Sequence, residues 1–167
     1  LGIHHIASYL RRHGFHCDVL DPNIQYCSLV PLLEEKSYDL VGFSMNHQTL
    51  EHDLGIVHLV KKILPKALLV AGGIEATFNH QQLFQHAPIG LIVLGEGEKP
   101  LLDICCGFDK LTMKDWQQIP GLYIKSDGER IIFTGHRPAL NKEEFSQIVL
   151  NLDFKNIPYP LYWQSLE

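Results

Sequence analysis

Three short apolar runs constrain this chain more than any other feature: DLVGFS (39–44), ALLVAGG (67–73) and IGLIVLG (89–95). Each is continuous rather than alternating, and each ends in glycine or serine. Stripes at helical spacing lie between and before them. Ile3, Ile6, Ala7 and Leu10 mark one helix face, with Gly14 placed to cap it left-handed. A short helix is expected over 29–36. Thr49 can cap a helix striped by Leu50, Leu54, Val57, Val60 and Leu64, and Asn79 can cap a short helix through His86. Pro100 suits the first turn of the next one. Strands buried on both faces and alternating with helices imply a parallel sheet covered by helices. Right-handed crossovers then leave a doubly wound, mostly parallel α/β fold, Rossmann-like or flavodoxin-like.

FHCDVLD (15–21) also reads as a strand, ended by Pro22. A domain of this kind opens on a strand, whereas this chain opens on a helix. The first strand, central to such a sheet, is therefore expected to be missing from the chain. GLYIKSDGERIIFTG (121–135) reads as a C-terminal β-hairpin turning at Asp127-Gly128. The stretch with IPYP (157–160) reads as linker, poor in regular structure. The expected organisation is an α/β domain over 1–118, a hairpin extension over 119–150 and a linker over 151–167.

Composition limits the function classes. A formal net charge of -5 argues against a general nucleic-acid binder. No apolar run approaches the roughly 20 residues of a membrane helix. Cys17, Cys27, Cys105 and Cys106 form no CxxC, and we read them as reduced thiols in a cytoplasmic protein. Structural zinc spacings are absent. No catalytic triad, phosphate loop or dinucleotide GxGxxG is present, so no catalytic or metal-ligating residue is assigned.

Ligands of doubly wound sheets bind beyond the carboxyl ends of the strands. Three such ends are visible: GFSMNHQT (42–49), AGGIEATF (71–78) and LGEGEKP (94–100). Two readings stand for Gly72-Gly73. The pair either makes a tight turn or lets a ligand lie against bare main chain. Glu96 and Glu98 are either acid-base or metal-ligand groups, or carboxylates at a helix start. His47, His52 and His58 read as solvated or partly buried side chains.

Taken together, LGIHHIASYLRRHGF (1–15), YDLVGFSM (38–45), VAGGIEATF (70–78), IVLGEGEKPLLDI (92–104) and IPGLYIKSDGERI (119–131) resemble the N-terminal cobalamin-binding domain of radical S-adenosylmethionine enzymes. That group includes the magnesium-protoporphyrin monomethyl ester oxidative cyclases and many methyltransferases. The resemblance implies that Ser44, Gly72 and Gly73 receive the cofactor's nucleotide tail. It makes Met45, Asn46, Gly95, Glu96 and Gly97 wall residues, and Gly2 and Ile74 complete the cofactor-binding set. The implied cofactor is base-off cobalamin. S-adenosylmethionine and an iron–sulfur cluster would belong only to a downstream radical barrel of the same polypeptide, since no CxxxCxxC occurs here. The DxHxxG motif that supplies a cobalt-ligating histidine is also absent. The lower face of cobalt is thus expected to carry water or nothing. Two rivals are a degenerate interaction domain that only docks to the barrel, and a methylthiotransferase N-terminal domain.

Overall fold

A computed structural model describes residues 2–108, 112–126, 130–149, 152, 153, 157 and 159–164. In chain order the elements are α1 (Gly2–Arg12), α2 (Pro22–Glu35), β1 (Leu40–Ser44), a 3-10 turn (His47–Thr49), α3 (Leu50–Ile63), β2 (Leu68–Gly72), α4 (Ile74–Phe78), α5 (His80–His86), β3 (Leu91–Val93), α6 (Glu98–Gly107), α7 (Met113–Trp116), β4 (Leu122–Lys125), β5 (Ile131–Phe133), α8 (Lys142–Val149) and α9 (Tyr159–Gln164). They fall into two compact units, Lys36–Pro138 and the pair of segments Leu1–Glu35 and Ala139–Glu167.

The first unit holds the sheet, ordered β1-β2-β3-β4-β5 among the described residues. The first three strands are parallel, in the register Leu40↔Leu68 through Ser44↔Gly72 and Val70↔Leu91. β4 runs antiparallel to β3, and β5 antiparallel to β4. The expected α/β fold and hairpin strands are both present; the Asp127-Gly128 turn lies outside the described residues. Because β1, β2 and β3 advance in one direction, right-handed crossovers place α3, α4 and α5 on one face. That face carries Leu69, Ala71 and Ile92, all fully buried. His80 of α5 stacks on Tyr123 at 3.8 Å, and Lys125 Nζ donates to the Phe84 carbonyl at 2.7 Å. The opposite face carries Val70, Leu91, Val93, Leu122 and Ile124, also buried, but at β1 it carries Gly42 and Ser44, which are exposed.

In the other unit, α1 buries His4, Ala7, Ser8 and Leu10. It ends as its sequence predicts. Gly14 has φ +89°, its N–H bonds the Arg11 carbonyl at 3.0 Å, and Phe15 N–H bonds the Leu10 carbonyl at 3.2 Å. These two bonds are the paired C-terminal closure that glycine permits. The Tyr162 hydroxyl donates to Asp21 Oδ2 at 2.9 Å, and the Asp153 N–H donates to Ser8 Oγ at 3.0 Å. Burial and that acceptor push the Tyr162 hydroxyl up to about 12.

Several expectations change. Phe15–Leu20 has no strand structure (15–20), because alternation supplies a face but not a ladder partner. The helix expected over 29–36 begins at Pro22, with non-helical dihedrals at Gln25 (φ -128°, ψ 24°) and Pro31 inside it. Thr49 does not cap α3 with its side chain; its Oγ1 donates to Asp53 at 2.7 Å. Asn79 precedes α5 but turns its amide back to Glu75. The tail is more regular than its prolines imply, since Tyr159–Gln164 is helical. No helix among the described residues is long and apolar enough to cross a membrane.

Candidate functional site at the carboxyl ends of the strands

Parallel strands bring their carboxyl ends to one edge. Ser44 and Gly72 are register partners there, so their substituents leave the same face of the sheet. Gly42, two residues earlier, shares that face. A β-carbon on Gly42 would meet nothing within 4 Å, and one on Gly72 would meet only the Val93 carbonyl oxygen at 3.7 Å, an ordinary contact. Gly42, Ser44 and Gly72 thus form a floor of bare main chain and one hydroxyl, open on the β1 side.

Gly73 is different. Its φ is +91°, and a β-carbon there would lie 2.7 Å from the Met45 carbonyl oxygen and 3.2 Å from Met45 N. That approach is held by the chain itself: Met45 N–H bonds the Gly72 carbonyl at 2.8 Å, and Glu75 N–H reaches the Met45 carbonyl at 3.4 Å. The two glycines therefore answer to different demands. Gly73 is required by the protein's own turn, whereas Gly72 leaves room that the protein does not fill.

A polar cluster borders this turn. Glu75 is 5% exposed, although it lies in the short helix α4. Its Oε1 accepts from Asn79 Nδ2 at 2.7 Å, and its Oε2 stands 3.3 Å from Nδ1 of His47. The His47 side chain is itself 81% exposed. Asn46 Oδ1 accepts from Gln48 N–H at 3.3 Å and so fixes the 3-10 turn that presents His47. Ile74 and Phe78, one helical turn apart on α4, are 64% and 75% exposed.

At the third strand end, Gly95 has φ +66° and open space around it, and Glu96 is exposed. Gly97 is buried, precedes α6 and accepts from Leu101 N–H at 3.0 Å. Glu98 is the first helical residue and is 5% exposed, where the helix dipole favours a carboxylate. No group of three or more His, Cys, Asp or Glu among the described residues is arranged to hold a metal ion. A concavity of about 380 Å³ opens at the opposite, amino edge of the strands. Its two lysines, Lys61 and Lys125, already donate to the carbonyls of Ala67 and Phe84.

Residues 1–104 match the family model of the B12 binding domain. The chain belongs to the B12-binding domain family. This B12-binding domain is 26% identical over 142 residues to the anaerobic magnesium-protoporphyrin IX monomethyl ester cyclase of Cereibacter sphaeroides, covering 81% of this chain and 23% of that protein. The corresponding cyclase of Rubrivivax gelatinosus is 23% identical, with 81% and 26% covered. The chain thus spans about a quarter of the length of these relatives. Among solved structures, the radical S-adenosylmethionine methyltransferase TsrM from Kitasatospora setae, with cobalamin and a [4Fe-4S] cluster bound, superposes with a TM-score of 0.70 at 19% identity, over 86% of this chain and 27% of that one. The cobalamin-dependent radical enzyme OxsB, with aqua-cobalamin and S-adenosylmethionine bound, gives 0.68 at 20%, over 83% and 20%. These last two likenesses are of fold.

The fold of this B12-binding domain brings together nine of the ten residues singled out from sequence, because all nine lie at carboxyl ends of β1, β2 or β3. Gly2 opens α1, in the other compact unit. Met45 is 1% exposed, so its side chain belongs to the core and does not line this edge. Sequence reasoning passed over Gly42, which the alternation Gly42-x-Ser44 along one strand places on the floor. It also passed over the meeting of His47, in the 3-10 turn after β1, with Glu75 of α4.

Proposed function

We propose that this domain holds base-off cobalamin at the carboxyl edge of β1–β3, as the cofactor module of a radical S-adenosylmethionine enzyme of methyltransferase or oxidative cyclase type. The observation that carries the reading is the floor of Gly42, Ser44 and Gly72, where added β-carbons at the two glycines would meet open space or a single ordinary contact. A degenerate, non-binding domain is expected to fill such a surface with side chains. The residues present fit a flat nucleotide tail. Ser44 offers one hydroxyl to it, the two glycines let it lie against main chain, and Asn46, Gly95 and Glu96 border the same edge. When bound, cobalamin supplies methyl-transfer or one-electron chemistry at cobalt. The protein's part is to bind, orient and exclude water. Exposed Ile74 and Phe78 at this edge favour a further covering element, in our reading the catalytic barrel of the same cytoplasmic polypeptide. That barrel would carry S-adenosylmethionine and the iron–sulfur cluster. The methylthiotransferase alternative needs cysteines at the strand ends. The described ones, Cys17, Cys105 and Cys106, lie after α1 and on α6.

Gly42→Val tests the floor. Valine suits a strand, and Gly42 has free space, so the variant should fold with unchanged or slightly raised stability. Its uptake of hydroxocobalamin, read from the corrin absorption retained after gel filtration, should fall at least tenfold. Uptake equal to that of the parent chain would remove the floor from the site.

A further inference from the structure

The concavity at the amino edge of the strands has a make-up that packing alone does not require. Its floor is apolar and buried: Ala67 and Leu69 around the start of β2, Ala87 and Ile89 in the segment before β3. Lys61, in the last turn of α3, and Lys125, at the end of β4, also line it. Each lysine has a structural task. The Phe84 carbonyl is one of the last four of α5, and the residue four positions on, Pro88, has no N–H to give it. Lys125 Nζ supplies the donor at 2.7 Å, and Lys61 Nζ does the same for the Ala67 carbonyl at 3.1 Å. Those bonds use one of the three N–H groups on each ammonium. The end of α5 favours the charge on Lys125. Yet among the described residues neither lysine pairs with a carboxylate. Lys66 and Arg130, both exposed, adjoin the lining residues Ala67 and Ser126 and add to the positive rim. Uncompensated cations above a low-dielectric floor focus positive potential into a concavity. Its volume of about 380 Å³ lies at the small end of ligand cavities, about 300–1,000 Å³.

We propose that this concavity binds a small organic anion, a carboxylate or a phosphate ester with a compact apolar body. The body lies on Ala67, Leu69, Ala87 and Ile89. The anionic group takes N–H donors that Lys61 and Lys125 still have to give. The site belongs to the same compact unit as the floor of Gly42, Ser44 and Gly72, at the far ends of β2 and β3. It does not depend on the cobalamin reading.

The test is a titration of the ¹⁵N-labelled full chain followed by amide NMR. Phenyl phosphate and benzoate are the probes, and inorganic phosphate and phenol are the charge-only and body-only controls. Saturable shifts of the Leu69, Ile89 and Gly90 amides are expected with a probe at millimolar concentration or below, the tighter probe naming the anionic group. Both controls should bind at least tenfold more weakly. Lys61→Met and Lys125→Met keep the apolar stem and remove the charge. Each should weaken the tighter probe at least tenfold, the loss of one charge-assisted contact. Should Lys125→Met fail to fold, Lys61→Met and the two controls on the parent chain still decide. Added hydroxocobalamin should leave the probe shifts unchanged. The proposal is overturned by the absence of saturable shifts with either probe, or by a control that binds as tightly as the probes. Binding that survives both substitutions, or displacement of the probe by hydroxocobalamin, overturns it equally.

Discussion

Gly73 shows how geometry bears on two readings that the sequence leaves open. Next to Gly72 it looked like half of a ligand-facing pair. Its φ of +91° and the 2.7 Å approach to the Met45 carbonyl make it a requirement of the turn itself. Gly73→Ala should therefore destabilise the domain with no cofactor present, by about 1–3 kcal/mol from backbone strain. Gly72→Ala, which meets only the Val93 oxygen at 3.7 Å, should stay within about 0.5–1 kcal/mol, the usual cost of exchanging these residues in regular structure. Denaturant unfolding of the two variants checks the contrast, and equal midpoints would refute it. At this scale the sequence was informative about which loops matter and silent about why. Ser44, Gly72 and Gly95 could be located from strand ends alone. The burial of Met45 and the meeting of His47 with Glu75 depend on how the turn after β1 and α4 fold against each other, which no local pattern encodes.

Elements were legible where periodicity and partner came together. The apolar runs at 39–44, 67–73 and 89–95 became β1, β2 and β3 because each finds a neighbour in the sheet. FHCDVLD has the alternation and no ladder among the described residues, so pattern alone did not make a strand. The short helix α7 escaped notice for the opposite reason. α7 has four residues, too few for a stripe, and is marked only by its cap. The signature was nonetheless present in T-x-x-D over 112–115, a capping box. Thr112 N–H and Oγ1 both donate to Asp115 Oδ2 at 2.7 Å. These bonds, the backbone one first, hold the Asp115 carboxyl below its ordinary value of 3.8. A depressed folded value means that the charge contributes stability above the unfolded value and that this is lost as pH falls through the folded one. Carboxyl-resolved NMR should place the Asp115 titration below 3.8. Thr112→Ala should recover only part of the shift, because the backbone N–H remains. A titration at or above the ordinary value would contradict the capping box.

At the scale of the molecule, a ligand that binds the folded site raises the stability of the unit that carries it. The site residues on β1, β2 and β3 all belong to Lys36–Pro138, a unit with its own sheet and buried core. The chain has two tryptophans, and they divide between the units: Trp116 in α7 and Trp163 in α9. Trp163 is 67% exposed, so Trp163→Phe should cost little and leave Trp116 as the reporter of the site-bearing unit. With free hydroxocobalamin at about 100 times its dissociation constant, linkage gives that unit about 2.7 kcal/mol. For a unit of about 100 residues, each kcal/mol moves the midpoint by about 4–8 °C. The Trp116 transition should therefore rise by about 10–20 °C. Corrin absorption will quench part of the emission, but that lowers the amplitude and leaves the midpoint readable. Combining Trp163→Phe with Gly42→Val should cut the rise to about half or less, since a site at least tenfold weaker retains at most about 1.4 kcal/mol of linkage at the same concentration, while leaving the cofactor-free midpoint in place. A rise of equal size in both proteins would mean that cobalamin is held somewhere other than on the Gly42, Ser44 and Gly72 floor.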